Sequence, residues 1–205
     1  MYIPKHFEAS ETVGREIMKA HGWALLVTSD EAGAPQCTHL ALVWQDDGTL
    51  HGHLIGHVAR ANPHWKLFAR EAQSLALFWG PHAYVSPNWY TPGPKVPTWN
   101  YVTVHAYGRP EIVEEARDVL DILTRLASVY EGKEGWTLGA LPPGNAEMQI
   151  KGIVAFRIPL TKVETKLKLS QNRDLEDRHR VIARLEASDS QDSQATARWM
   201  KRVLP

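Results

Sequence analysis

The chain has 205 residues, 43% of them hydrophobic and 22% charged, which suits one compact domain with a sizeable core and excludes a disordered or fibrous class. Its 23 Lys and Arg balance 23 Asp and Glu, so no global field draws it to nucleic acid or an anionic membrane, and any nucleic-acid role needs a local basic patch. The one cysteine, Cys37, excludes an internal disulfide. No run approaches the ~20 apolar residues that cross a bilayer, and Lys5, Glu8, Glu11 and Arg15 interrupt the N-terminal apolar runs; together these predict a cytoplasmic protein.

Residues 8–20 put Val13, Ile17 and Ala20 at helical spacing behind Ser10 as N-cap, with Gly22 as the stop. Three β segments follow, at 23–30, 36–45 and 49–56, joined by the turn sequences DEAGAP and DDG. Residues 60–72 predict a short helix entered through Asn62-Pro63, and 74–80 a further strand. A proline- and tryptophan-rich loop then leads into the strand 100–108. Over 111–131 the apolar residues Ile112, Ala116, Val119, Leu120, Leu123 and Leu126 fall on one helical stripe, with Glu111, Glu114 and Glu115 at its positive end. Strands are expected at 150–159 and 160–169, and helices at 174–187 and 193–203. Strands dominate and run largely in sequence, without the long crossover helices of a parallel sheet. The expected fold is mainly β with peripheral helices, an antiparallel barrel or half-open barrel.

Three segments carry candidate chemistry. In HGHLIGHVARANPHW, His51 and His53 share a strand face, and His57, Arg60, Asn62 and His64 follow in the turn. The i, i+2 histidines suggest a metal site, but no acid or cysteine lies near in sequence to complete it. A strand-to-helix junction with Arg60 suggests a phosphate site instead, and a hairpin with exposed histidines is the structural alternative. In VSPNWYTPGPKVPTWNYVTV, Ser86, Asn88, Trp89, Thr98, Trp99 and Asn100 bring flat faces and hydrogen-bonding groups onto a backbone stiffened by Pro87, Pro92, Pro94 and Pro97. That composition fits a planar ligand with polar edges and equally a stiff cap over a core or a dimer interface. In KLKLSQNR, alternation puts Lys166, Lys168 and Ser170 on one side, with Gln171, Asn172 and Arg173 at the strand end; this reads as a solvated basic face or as a second contact to a phosphate or flavin edge.

No P-loop, GxGxxG or GxSxG pattern is present, and Cys37 has no local nucleophile motif. With side-chain catalysis poorly supported, the residues point to a bound cofactor positioned by the protein.

The blocks MYIPKHF, HVARANPHW, YVSPNWY, VPTWNYVTVHAYG and KLSQNR, in this order over residues 1–180, closely resemble the PaiB-type FMN-binding negative transcriptional regulators. The resemblance implies the split-barrel flavin-binding fold of pyridoxamine-phosphate oxidases and flavin reductases, in which two subunits build the FMN sites at their interface. It implies a split-barrel domain over 1–187 and a helical tail over 188–205 that packs on the barrel or the partner. It further implies that Arg60, with His53, His57 and Asn62, meets the FMN phosphate and ribityl chain. Ser86, Asn88 and Trp89 would line the flavin, Thr98, Trp99 and Asn100 would approach its ring or polar edge, and Lys168, Ser170 and Gln171 would close the site. Repression of transcription is the implied role, yet no helix-turn-helix pattern is found. The local basic candidates for DNA are 173–184 and 198–202, both salted with acids. An FMN-dependent oxidoreductase and a haem-binding split barrel are the alternatives.

Overall fold

The computed structural model describes residues 1–69, 73–132 and 135–205. Among the described residues, seven strands form: β1 (Trp23–Ser29), β2 (Pro35–Gln45), β3 (His53–Ala59), β4 (Ser74–Val85), β5 (Thr98–Gly108), β6 (Glu111–Val113) and β7 (Ile153–Lys168). The helices are α1 (Glu11–Ala20), α2 (Ala116–Glu131), α3 (Asn145–Gln149), α4 (Leu175–Glu186) and α5 (Gln191–Arg202). The strand order is β3-β2-β1-β4-β5-β7-β6, and a further pairing of β3 with β7 closes the row into a ring. The pairs β1–β2, β1–β4, β2–β3, β3–β7 and β6–β7 are antiparallel. This is the antiparallel barrel with peripheral helices that the strand pattern predicts, and the split-barrel fold that the resemblance implies.

Four elements differ from the sequence-based expectation. The third strand begins at His53, not 49, because the DDG turn runs on. Asp46 accepts the Gly48 amide, Asp47 accepts the Thr49 amide and hydroxyl, and Thr49 accepts the Gly52 amide; Gly48 and Gly52 both adopt positive φ. The expected helix at 60–72 is a single 3₁₀ turn, Pro63–Leu67, and its last expected residues, 70–72, lie outside the described residues. Tertiary contacts override its helical pattern. His64 is drawn into a buried network, with Nδ1 2.8 Å from Thr38 Oγ1 and Nε2 2.9 Å from Thr28 Oγ1, and Phe68 packs edge-on against Phe156 at 4.9 Å. Residues 111–113 are strand, paired with 155–157, so Ile112 belongs to a sheet and the helix starts only at Ala116. The two expected strands at 150–169 are one 16-residue strand. Pro159 does not break it, because it sits opposite His53 at the last β3 pairing.

The chain divides into two units, Met18–Phe78 with His105–Val163, and Met1–Ile17 with Trp79–Val104 and Glu164–Pro205. In the first, one face of the sheet buries Ala24, Leu26, Leu42, Leu54 and Phe156, each large side chain contributing about 1.5–3 kcal/mol. Gly108 is needed where β5 meets β7, since a Cβ there would lie 2.3 Å from the Pro159 carbonyl oxygen. The opposite face is covered at Val43, Ile55 and Ala155 by Val119, Ile122 and Leu126 of α2, which is what the stripe along that helix predicts. In the second unit, α4 and α5 bury Val181, Ile182, Leu185, Ala197 and Met200. Arg202 clamps Glu16 through two bonds of 2.6 and 2.8 Å, and the Met1 amine pairs with Glu164 at 2.5 Å.

Candidate functional site

The candidates in the first unit belong to β3 and the turn after it. His53 Nδ1 lies 2.9 Å from Asp47 Oδ2, inside the turn, so an acid does lie beside this histidine, contrary to the sequence reading; Thr49 and then His53 hold the Asp47 carboxyl down at about 2. His57 is opposite Ala155 of β7, on the sheet face that α2 partly covers. It is half-buried, its Nδ1 has no hydrogen-bond partner, and burial lowers its pKa, so the ring is neutral near pH 7. It borders a cavity of about 620 Å³ walled by Leu123, Leu126, Tyr130, Trp136 and Leu141.

Arg60 is organised differently. Its Nε donates to the Lys151 carbonyl at 2.8 Å and its Nη2 to the Ile153 carbonyl at 2.7 Å. These bonds hold the guanidinium against the start of β7, and Arg60 borders a second cavity of about 460 Å³ together with Trp65, Glu114 and Lys151. His57 and Arg60 therefore border separate cavities. Asn62 caps the 3₁₀ turn: its Oδ1 accepts the His64 amide at 3.0 Å, and its Nδ2 donates to Thr38 Oγ1 at 3.1 Å. With the Asn62 amide so engaged and no N–H on Pro63, this junction offers fewer free amides than a helix N-terminus does.

In the second unit, the aromatic loop is built from turns that its prolines and serine dictate. Ser86 Oγ accepts the Asn88 amide at 3.2 Å at the head of the 3₁₀ turn Pro87–Trp89. The Trp89 carbonyl accepts Arg180 Nε at 3.1 Å. Asp177 of α4, fully buried, accepts the Thr91 amide at 2.7 Å and pairs with Lys95. Burial alone raises the Asp177 carboxyl, but Lys95 and Thr91 outweigh it and hold the group below the usual range.

Beyond the loop, β5 and β7 bring the remaining candidates together. Lys168 donates to Thr98 Oγ1 and to the Trp99 carbonyl. Asn100, buried, donates to Ser170 Oγ at 3.0 Å and accepts from it at 3.1 Å. Gln171 locks the turn by accepting the Leu169 amide and donating to the Leu167 carbonyl, both at 2.7 Å. Ser170 adopts φ 65°, a left-handed conformation that non-glycine residues hold only where the surroundings enforce it. Trp99 remains 52% exposed, its ring 6.0 Å from both His82 and Tyr84. This face offers flat rings beside a half-buried cation, which fits a flavin.

Lys166 and Arg173 were singled out only as part of a basic segment with no role of their own, and Asp177 was not among the sequence candidates. The first two lie in the basic KLKLSQNR block, where alternation was the available signal. Asp177 has no local signal, because its partners are 82 and 86 residues away. Among the described residues, no group of three His, Cys, Asp or Glu side chains is arranged to hold a metal ion, and no helix is long and apolar enough to cross a membrane.

The family described as "Putative FMN-binding domain" matches residues 1–162. The chain is 35% identical over 213 residues to "Protease synthase and sporulation protein PAI 2" of Bacillus subtilis, covering 100% of this chain and 98% of that protein. It is 30% identical over 155 residues to an uncharacterized Saccharomyces cerevisiae protein, covering 65% of this chain and 92% of the other. Among solved structures, the FAD and heme binding protein of Mycobacterium smegmatis superposes with a TM-score of 0.62 at 12% identity, over 85% of this chain and 79% of that one. The flavocytochrome Anf3 of Azotobacter vinelandii also gives 0.62, at 16% identity, over 84% and 73%. At such identities the two structures share the fold with this chain.

Proposed function

We propose that this chain, which belongs to the PaiB-like family of FMN-binding domains and has FMN as its cofactor, works as a homodimeric negative regulator of transcription. The observation that carries the regulatory reading is the likeness, over the whole length, to the Bacillus subtilis protein named for protease synthesis and sporulation. The homodimer is supported by an open apolar sheet face. Trp23, Leu25 and Val27 of β1 alternate outward, and Leu25 and Val27 sit opposite Leu77 and Leu75 of β4. Trp23 is 63% exposed, and the four aliphatic residues are only half-buried; such a patch suits a partner surface.

FMN, when bound, supplies hydride or one-electron transfer. The residues proposed to hold it form two groups. Arg60, with His53, His57 and Asn62, is assigned the phosphate and ribityl end by the family resemblance, with Arg60 at one cavity and His57 at another. Trp99 and Trp89, with the polar groups of Ser86, Asn88, Thr98 and Asn100, serve the ring, and Lys168, Ser170 and Gln171 close the site. The contribution of the chain is to fix these groups before the ligand arrives, which lowers the ordering cost of binding. DNA binding rests on α4 and α5. Of their lysines and arginines, Arg178 binds the Val203 carbonyl, Arg180 binds the Trp89 carbonyl, Lys201 pairs with Glu186 and Arg202 with Glu16. Among the described residues, Arg184 and Arg198 are left for phosphates, so two paired copies are needed for an appreciable salt-dependent contact.

A second reading, an FMN-dependent oxidoreductase, is favoured by the cavity beside neutral His57, which has room for a second small molecule. Purified protein tests both. The regulator is expected to show a flavin spectrum near one FMN per chain, a dimer by light scattering, and a salt-sensitive shift of promoter DNA. NAD(P)H-to-dye turnover without any DNA shift would replace the regulator by the oxidoreductase. A colourless monomer would defeat both.

A further inference from the structure

The face that β4, β5 and β7 present in the second unit carries a charge imbalance. Tyr101 follows Trp99 on the same side of β5, and Lys166 and Lys168 alternate along the same side of β7. The Lys166 and Lys168 ammonium groups lie 5.4 and 5.8 Å from the centre of the Tyr101 ring. Arg173, from the turn that follows, stacks 5.0 Å over Tyr90. Lys168 is lowered in pKa by burial and then by the like charges of Lys166 and Arg173, so the three cations share one field. Lys166 is only 8% exposed, and its ammonium has the Tyr2 carbonyl as acceptor.

Among the described residues, none of the three has a carboxylate within ion-pair reach. Of the acids nearby, Glu164 is engaged by the Met1 amine, Asp177 by Lys95 and Asp174 by the Asp177 amide, while Glu8 bridges Lys166 through the backbone without an ion pair to it. A buried ammonium is ordinarily paired, because its desolvation is otherwise uncompensated. Ser170, Asn100 and Gln171 lock the turn between Lys168 and Arg173, and neutral acceptors hold the two ammonium groups, the Tyr2 carbonyl for Lys166 and Thr98 with the Trp99 carbonyl for Lys168. Pre-organised like charges at the edge of exposed aromatic rings are what an anion-bearing flat ligand needs.

We propose that Lys166, Lys168 and Arg173 form a receptor for the carboxylate or phosphate of a flat aromatic ligand that lies on the Trp99–Tyr101 face. FMN is one such molecule, its phosphate then meeting this cluster in place of Arg60, and a second aromatic anion held beside it is another. The proposal rests on the FMN reading only for the first of these sources.

The test uses Lys166→Met and Arg173→Met in the full chain, each keeping an apolar stem without the charge. Flavin-free protein is titrated with FMN and with riboflavin, which lacks the phosphate. Flavin-loaded protein is titrated with 4-nitrobenzoate and with neutral nitrobenzene. Each substitution is expected to weaken the anionic member of at least one pair ten-fold or more, leaving the neutral member unchanged. A loss confined to FMN assigns the receptor to the cofactor phosphate, and a loss confined to 4-nitrobenzoate assigns it to a second ligand. Equal loss for the charged and neutral members, or no loss in either pair, overturns the proposal. Were the chain to take up no flavin, the FMN reading alone would fall, and 4-nitrobenzoate against nitrobenzene on the flavin-free chain would still decide this one. If Lys166→Met folds poorly, Arg173→Met, whose side chain is less buried, reads the same titrations.

Discussion

Replacing Asp177 by Asn removes the charge that anchors the aromatic loop to α4 while keeping its shape. The side chain of Asp177 is 1% exposed and that of its partner Lys95 15%, so water replaces little of the lost attraction. Breaking a buried pair from one side costs about 3–5 kcal/mol; the partial exposure of Lys95 puts the expectation at the low end, about 3 kcal/mol. The bond from the Thr91 amide, 2.7 Å to Oδ1, survives in weakened form, because the Asn side-chain oxygen still accepts. The assay is urea unfolding of the wild type, Asp177→Asn, Lys95→Met and the double variant. Most of the loss should be shared, so Lys95→Met in the Asp177→Asn background should cost well under 1 kcal/mol. The pair also sets a pH dependence. Because the folded carboxyl is held below its ordinary value, its stabilisation is fully present above about pH 4 and disappears as pH falls through the folded value. A cost under about 1 kcal/mol for Asp177→Asn at pH 7, with additive single changes, would falsify the view that this pair anchors the loop.

Three further outcomes are expected. Burial lowers the His64 pKa, so the unfolded chain takes up its proton first. Stability should therefore begin to fall as pH drops below about 6.5, and melting curves between pH 5 and 8 should show a shallower acid limb in His64→Gln. In Gly108→Ala the new methyl meets the Pro159 carbonyl oxygen at 2.3 Å, a backbone neighbour that cannot rotate away; thermal unfolding should register a loss of about 1–3 kcal/mol, and an unchanged melting point contradicts the β5–β7 packing. At position 170, Ser→Gly relieves the positive φ but drops both bonds to Asn100, whereas Ser→Ala drops the bonds and keeps the strain. Ser170→Ala should therefore be the less stable of the two by about 1 kcal/mol in the same unfolding assay.

Much of the fold is legible in local sequence. The helix stripes of α1, α4 and α5, the alternation in β1, β2 and β5, and the DDG and Asn-Pro turns all follow from interactions within a few residues. The misreadings occur where a distant contact outweighs a local preference. Ile112 fits a helical stripe yet pairs opposite Phe156, and the 63–67 turn stops at one turn because Thr28, Thr38 and Phe156 claim His64 and Phe68.

The candidate site divides along the same line. The sequence by itself determined which residue types could serve it: the amides and tryptophans of the proline-stiffened loop, Arg60 after β3, and the basic KLKLSQNR strand. Only the tertiary structure decided how they are used. Two carbonyls of the β7 start hold the Arg60 fork, and strand pleat turns His57 to another cavity. Asp177 reaches back 82 residues to neutralise Lys95, while Lys166, Lys168 and Arg173 have no counter-charge among the described residues. Residue type sets what a side chain can donate, accept or carry. Whether that capacity is already satisfied depends on neighbours brought in by long-range strand pairing, and no local window of sequence contains them.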